Sequence, residues 1–257
     1  MWSFEEIEQR IDQAVAWLQM KTREAKADGL VIGISGGVDS AVVAGLCKRA
    51  FPENAIGVIL PCYSSQEDIE DGRLVAQSLN IRMIEIELSE VHSLVMKQLE
   101  ESLAPIQQDM GRTKMTQGNL KARLRMSSLY AVANQLNYLV VGTDNAPESY
   151  TGYFTKYGDG GVDLLPLSSL TKSEVRMWAR ALGLPEQISE RVPTAGLWPG
   201  QTDEGQMGIT YDLIDRYLLG ETIPQEVVDK IEHMHQISEH KRNMPPSLEL
   251  PKLKSFD

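Results

Sequence analysis

The sequence predicts an α/β fold, a doubly wound, parallel, five-stranded sheet with helices on both faces. Three observations predict it. Short β-branched apolar runs alternate with helical patterns along most of the 257 residues. The runs LVIGI, AIGVIL and YLVVGT are apolar at consecutive positions, as strands buried on both faces are. Two of them, 30–34 and 138–143, then run into glycine-bearing or acidic sequence, and α/β sheets bind ligands beyond the carboxyl ends of their strands.

In order, Phe4, Ile7, Ile11, Ala14, Val15 and Leu18 recur at helical spacing, so the chain opens with an amphipathic helix that ends near Asp28-Gly29. Strand 30–34 and a helix over 39–50 follow, then strand 55–60 and helix 66–79. Alternation over 83–88 predicts a third strand nearer an edge, and 89–103 reads as helix. The polar stretch 105–118 carries no clear pattern. A long helix over 119–136 feeds the fourth strand, 138–143. The glycine-rich YTGYFTKYGDGGVDLLPL leads to a short fifth strand at Leu164-Leu165. Helix 171–182 starts with the capping box Thr171-x-x-Glu174. The 193–208 loop has the length of a lid or binding loop. Helices over 211–219 and 225–238 precede a proline-rich tail, 244–257. No composition shift marks a linker, so residues 1–257 read as a single domain of Rossmann-like kind.

Hydrophobic content of 42% and charged content of 24% are ordinary for a globular chain. A formal charge of −11 argues against binding nucleic acid or an anionic membrane, and the largest basic cluster, 112–125, is local. Cys47 and Cys62 form no CxxC, which predicts reduced thiols and a cytoplasmic setting. The acidic, amphipathic start is unlike a signal peptide, and no apolar run reaches the roughly 20 residues of a membrane helix.

The stretch LVIGISGGVDSA puts two glycines, two serines and an aspartate where a strand becomes a helix. Glycines there admit positive φ and let backbone N–H groups approach a ligand. With the helix's positive end and the Ser35 and Ser40 hydroxyls, they make a cradle for an anion. The loop lacks the Lys-Ser/Thr of GxxxxGK[ST]. Asp39 beside a phosphate would be repulsive without a cation between, and Mg²⁺ favours a carboxylate plus phosphate oxygens. A tight turn with Asp39 as helix cap is the plainer alternative. Glu148 also follows the carboxyl end of a buried strand, so it could share one crevice and its Mg²⁺ with Asp39, or be a solvated loop residue. Lys172 stands at a first helical position, against the macrodipole; an anion shared with the helix end would explain it, as would a tolerated surface lysine. Arg123 and Arg125 lie two apart in GNLKARLRM and cannot share a helix face; a solvated charged face is the alternative to ligand binding. His233 and His235 are likewise on different faces, which argues against a zinc site with His240.

GISGGVDS resembles the SGGxDS pyrophosphate loop of the N-type ATP pyrophosphatases. GTDNAPESYTGYFTKYGDGGVDLLPLSSLTK, RVPTAGL, ITYDLIDRYL and EHKR follow in the order of the ammonia-dependent NAD⁺ synthetases, and the likeness runs from about residue 28 to about 246. The resemblance implies amidation of deamido-NAD⁺ with ammonia, through an acyl-adenylate, at the expense of ATP. It implies ATP at Gly33, Ile34, Ser35, Gly36, Gly37, Val38, Asp39, Ser40, Thr143, Lys172 and Thr194, and Mg²⁺ at Asp39 and Glu148. For deamido-NAD⁺ it implies Arg123 rather than Arg125, with Lys156, Asp163, His240 and Lys241. Asp39 and Lys172 become catalytic, and Asp163 or Asp159 the acceptor of the ammonium proton. Asp203-Glu204 of the long loop could attract ammonium. The block leaves no room for a glutaminase domain, and family members of this kind are homodimers, for which helix 120–136 could supply a surface or serve as core. Two rivals are another ATP pyrophosphatase, forming GMP or modifying tRNA, and a non-catalytic nucleotide-binding module. The charge and the lack of a cysteine pair weigh against a tRNA enzyme. A mere binding module needs the cradle but not Asp39, Glu148 and Lys172 together.

Overall fold

The computed structural model describes residues 2–106, 113–198 and 200–248. Part of the polar 105–118 stretch, Pro199 of the long loop and the end of the tail therefore lie outside the described residues.

Four strands, β1 (Gly29–Gly33), β2 (Ala55–Ile59), β3 (Arg82–Glu85) and β4 (Tyr138–Val141), form one parallel sheet in the order β3-β2-β1-β4. The chain steps outward from β1 to β3, then crosses back to lay β4 on the other side of β1. Order thus reverses between β1 and β4, and a crevice opens beyond their carboxyl ends.

The predicted fifth strand is a correction. Leu164 makes a single parallel bridge with Val141, Gly142 N–H donating to Leu164 C=O at 2.8 Å. Pro166 stands two residues on and has no N–H to extend a ladder, so pairing stops there.

Both sheet faces are covered, because successive strand residues point opposite ways. Leu30 and Ile32 face α1 (Phe4–Glu24), α2 (Val38–Ala50), α3 (Gln66–Ser78) and, later in the chain, the helix Lys172–Ala181, packing with Ile11, Leu18, Leu46, Val75 and Trp178. Val31, Val58 and Val140 face the other way, toward Leu88 and Ala133, with Leu129 part-buried beside them. Here lie α4 (Ser89–Leu103) and α5 (Thr113–Leu136), the latter starting earlier than the 119–136 pattern. In α5 only Ala122 and Ala133 of the apolar residues are buried, with Leu124, Leu129, Tyr130 and Val132 packing part-buried against this core; α4 exposes Val91, Leu94 and Val95.

The chain then forms α6 (Ala146–Thr151), α7 (Lys172–Ala181), α8 (Glu186–Ser189) and α9 (Asp203–Met207), the last inside the predicted long loop. Helices α10 (Tyr211–Leu218), α11 (Gln225–Ile237) and α12 (Glu239–Arg242) follow. Ile214, Ile231, Tyr211 and Met207 make a satellite core against α6. α7 has the capping box read from sequence: Thr171 accepts from Glu174 N–H while Glu174 accepts from Thr171 N–H.

Candidate active site

β1 ends at Gly33, and the chain turns through Ser35, Gly36 and Gly37 into α2. Gly36 has φ +81°, and a Cβ there would lie 2.8 Å from Arg191 Nη1, so only glycine passes. Gly37 is extended and is the N-cap of α2 with no side-chain cap bond, which leaves the helix's first N–H groups for a ligand. The serines hold the turn: Ser40 Oγ accepts from Ser35 N–H at 3.2 Å and donates to Gly37 C=O at 2.9 Å. Asp39 does not cap the helix. Its Oδ1 accepts from Asn145 Nδ2 at 2.8 Å, and its Oδ2 pairs with Lys172 Nζ at 2.5 Å.

Glu148 reaches the same ammonium from the β4 side. Asn145 caps α6, accepting from Glu148 N–H, and Glu148 Oε2 accepts from Asn145 N–H in return. Glu148 Oε1 lies 3.2 Å from Lys172 Nζ and accepts from Tyr211 Oη at 2.9 Å. Two carboxylates from the two strand ends flanking the topological reversal thus converge on one lysine whose side chain is 3% exposed. A local signal for α6 exists in the sequence: Asn145-Ala-Pro-Glu148 is a capping box with proline in the first turn.

The position of Lys172 corrects an expectation. The first N–H groups of α7 are not open to an outside anion. Buried Asp215 fills them, its two oxygens accepting from Lys172 N and Ser173 N at 2.9 Å each. The Lys172 side chain instead leaves the helix end for Asp39 and Glu148, with its Nζ 4.6 Å from the centre of the Tyr211 ring.

Negative charge exceeds positive around this lysine. Asp144 and Asp203 are also buried and line the same pocket. Burial opposes the charge on Lys172, but Asp39 and Glu148 outweigh it and hold the amine protonated, above its usual range. Burial, with Asp39 adding repulsion, pushes Glu148 up to about 7 despite Lys172. Burial, then Asp159, Glu148 and Asp39, raise Asp144 well above the carboxylate range. Asp203 is raised by burial and accepts from Tyr211 Oη at 3.0 Å and Tyr153 Oη at 3.2 Å.

One pH effect follows with a definite sign. Between 4.5, the unperturbed value, and about 7, Glu148 binds more protons folded than unfolded, so its contribution to stability falls as pH rises. The melting temperature of the metal-free protein, less that of Glu148→Gln, is expected to fall across this window and level off above it. A flat difference would contradict the burial assigned to Glu148.

The crevice is about 520 Å³ and is lined by the glycine loop, Thr143, Asp144, Glu148, Lys172 and Thr194, among others. Thr194 Oγ1 accepts from Gly196 N–H at 3.1 Å. Asp159 lines the crevice and accepts from Thr155 N–H at 2.8 Å. Asp163 is elsewhere: exposed, with Oδ1 taking Tyr130 Oη at 2.9 Å and Oδ2 taking Val140 N–H at 2.8 Å. Of the two aspartates, Asp159 lines the crevice and Asp163 is not among its lining residues. Arg123 is exposed and donates to Lys156 C=O at 3.3 Å, while Lys156 Nζ meets His240 C=O. Lys241 Nζ donates to Gly152 and Phe154 carbonyls at 2.8 Å each. These four predicted substrate residues gather around segment 152–157. Arg125 turns away from them, donating to Leu60 C=O and Ser64 Oγ.

Asp39 and Glu148 supply the hard oxygen donors that Mg²⁺ takes, and they already share a cation. Among the described residues no three His, Cys, Asp or Glu are grouped to hold a metal alone. A magnesium ion here would complete its shell with phosphate and water oxygens, which is its habit.

A parallel sheet with an uncapped glycine turn at its switch point and a crowd of carboxylates beside it defines a nucleotide-binding α/β protein. The NAD synthase family model matches residues 10–245, so the chain belongs to the NAD synthase family. It is 56% identical over 242 residues to the NH(3)-dependent NAD(+) synthetase of Alkaliphilus oremlandii, covering 94% of this chain and 97% of that one. The solved NMN synthetase of Francisella tularensis superposes with a TM-score of 0.88 at 37% identity, covering 97% of this chain and all of that one. The NH3-dependent NAD synthetase of Campylobacter jejuni gives 0.76 at 30% identity, with 97% and 100% covered.

Proposed function

We propose that this chain amidates deamido-NAD⁺ with ammonia, converting ATP to AMP and pyrophosphate. The observation that carries the reading is the bridge of Lys172 between Asp39 and Glu148, beside an uncapped helix end. A merely binding module has no use for two carboxylates drawn onto one buried lysine at the mouth of an anion cradle. The family match and the curated NH(3)-dependent relatives support the same conclusion.

ATP lies with its β- and γ-phosphates on the turn Ser35–Gly37 and the first N–H groups of α2, from Gly33 to Ser40, with Thr143 and Thr194 beside it. Asp39 and Glu148 would hold Mg²⁺, which would supply charge neutralisation for the departing pyrophosphate. Lys172 donates to the phosphates and stabilises charge as pyrophosphate leaves. The nicotinate carboxylate attacks the α-phosphorus, a P–O bond forms and the bond to pyrophosphate breaks. Ammonia then adds to the acyl carbon, AMP leaves with its bridging oxygen, and the amide remains. Asp159, which lines the crevice, takes the extra proton, and Asp203 attracts ammonium. Helix α9 and the turn before it keep water from the adenylate. Arg123, Lys156, His240 and Lys241 bind the dinucleotide beyond the nicotinate, with Asp163 reaching it only from a different face.

The chain works as a single synthetase domain on free ammonia, in the cytoplasm. Both cysteines are free, and no described helix is long and apolar enough to cross a membrane. Val91, Leu94 and Val95 of α4 give a homodimer its apolar contact. Sedimentation equilibrium is expected to return twice the 28.7 kDa chain mass, and a monomer mass at micromolar concentration would refute the dimer.

A second reading concerns the substrate, because the Francisella tularensis relative is an NMN synthetase. Nicotinate mononucleotide and deamido-NAD⁺ share the reacting carboxylate and differ in the adenylate half. The test incubates the purified chain with ATP, Mg²⁺, ammonium and each compound in turn. Formation of AMP with NAD⁺, at a higher kcat/KM than with the mononucleotide, is expected; a preference for the mononucleotide would replace the first reading with the second.

A further inference from the structure

Arg191 follows α8 and stands three residues before Thr194. Its guanidinium reaches back across the start of the sheet's first crossover. Nη2 pairs with Asp68 and Nη1 lies 3.1 Å from Asp71, both on α3. The side chain is 17% exposed and lines the crevice. The sharpest observation is at Gly36, where a Cβ would come within 2.8 Å of Arg191 Nη1 and 3.0 Å of Asp68 C=O. The glycine at the centre of the anion turn therefore admits an arginine as well as a positive φ.

We propose that Arg191 is a further pyrophosphate-binding residue, held against the glycine loop by Asp68 and Asp71 and completing the cradle when phosphate is seated. The inference rests on the ATP site proposed above and adds a ligand to it. A guanidinium presents five N–H donors in a planar fork, and among the described residues its partners are these two carboxylates, which leaves donors over. Pyrophosphate carries several negative charges, and the turn itself offers only N–H dipoles and hydroxyls. An arginine this close to that turn adds formal charge to the cradle beyond that of Lys172. Asp68 and Asp71 keep the guanidinium oriented in the free protein. Asp68 is suited to this: burial raises it, but bonds from Ser65 and Arg191 win and keep it ionised. Their negative charge also offsets part of the attraction, so that pyrophosphate is released.

The alternative is a strap, in which Arg191 only ties the 190–196 segment to α3. The two roles differ in sign at Asp68. A strap fails alike from either end, whereas a phosphate ligand is freed, and its site made more positive, when its holding carboxylate is neutralised.

The experiment measures binding of inorganic pyrophosphate to the whole protein with Mg²⁺ by calorimetry, and its product inhibition against ATP. The proteins are wild type, Arg191→Met, Arg191→Lys and Asp68→Asn, each with its melting temperature. Arg191→Met is expected to weaken pyrophosphate binding about tenfold or more, the scale of a charged hydrogen bond, and to raise KM for ATP without moving KM for deamido-NAD⁺. Arg191→Lys should recover part of the loss, and Asp68→Asn should bind pyrophosphate at least as tightly as wild type. Unchanged binding in Arg191→Met, or an equal loss in Asp68→Asn, would overturn the proposal. If Arg191→Met does not fold, the lysine variant and Asp68→Asn carry the same contrast. Wild-type protein that binds no pyrophosphate would instead remove the ATP site on which the inference stands.

Discussion

Asp39→Ala is expected to abolish ATP:pyrophosphate exchange dependent on deamido-NAD⁺ while leaving the fold intact. The loss should be at least about 10²–10³-fold, as for other groups that stabilise charge developing in a transition state. The carboxylate lies in the first turn of α2, beside the anion cradle, and is one of two that would hold Mg²⁺ there. The fold should survive for a definite reason. Lys172 loses its closer partner but keeps Glu148 as its counter-charge, and the neutral amide of Asn145 loses its acceptor. A buried neutral donor left unpaired in this way costs about 1–3 kcal/mol. Circular dichroism and a melting temperature within a few degrees of wild type would establish this. Full exchange in Asp39→Ala would refute the magnesium role.

Lys172→Met is expected to lose activity to a similar degree and to gain something wild type lacks. Without the ammonium, Asp39 and Glu148 face one another with no cation between them. Deleting one member of a buried pair typically costs about 3–5 kcal/mol, but Glu148, already at about 7, can protonate and soften that. Mg²⁺ can also fill the gap. The variant should therefore be less stable than wild type in chelator, yet be stabilised by Mg²⁺ alone, without nucleotide. Wild type, whose lysine already occupies the site, should respond to Mg²⁺ only with ATP present. Thermal melts with and without Mg²⁺ read this contrast. Equal responses in the two proteins would mean that Lys172 does not stand where the metal binds.

What is legible in the sequence tracks how local each cause is. The buried strands declare themselves by consecutive apolar residues, and α7 by Thr171 and Glu174 three positions apart. The switch point follows from which strand ends carry glycine and acid. The fifth strand fails because a short apolar pair looks the same whether or not a proline behind it ends the pairing. Lys172 stands out against the helix dipole, yet the anions that explain it lie 133 and 24 positions away, and Asp215 fills the helix end. No spacing rule reaches that far. Tyr211, Asp203 and Asp144 gain their importance the same way, from burial around a shared charge. Arg191 belongs to the RVPTAGL motif, but its place against Gly36 is a property of packing alone. Arg123, Lys156, His240 and Lys241 are implied by family likeness and do come together, whereas Asp163 sits apart with Tyr130 and Val140.

The central claim is that the acid group of the substrate attacks the α-phosphorus of an ATP seated over the glycine turn. Its most direct test uses deamido-NAD⁺ labelled with ¹⁸O in the nicotinate carboxylate, with ATP, Mg²⁺ and ammonium, followed by mass spectrometry of the nucleotide product. The account predicts AMP carrying one labelled oxygen, with unlabelled pyrophosphate beside it. Unlabelled AMP, or ADP and orthophosphate as products, would contradict it.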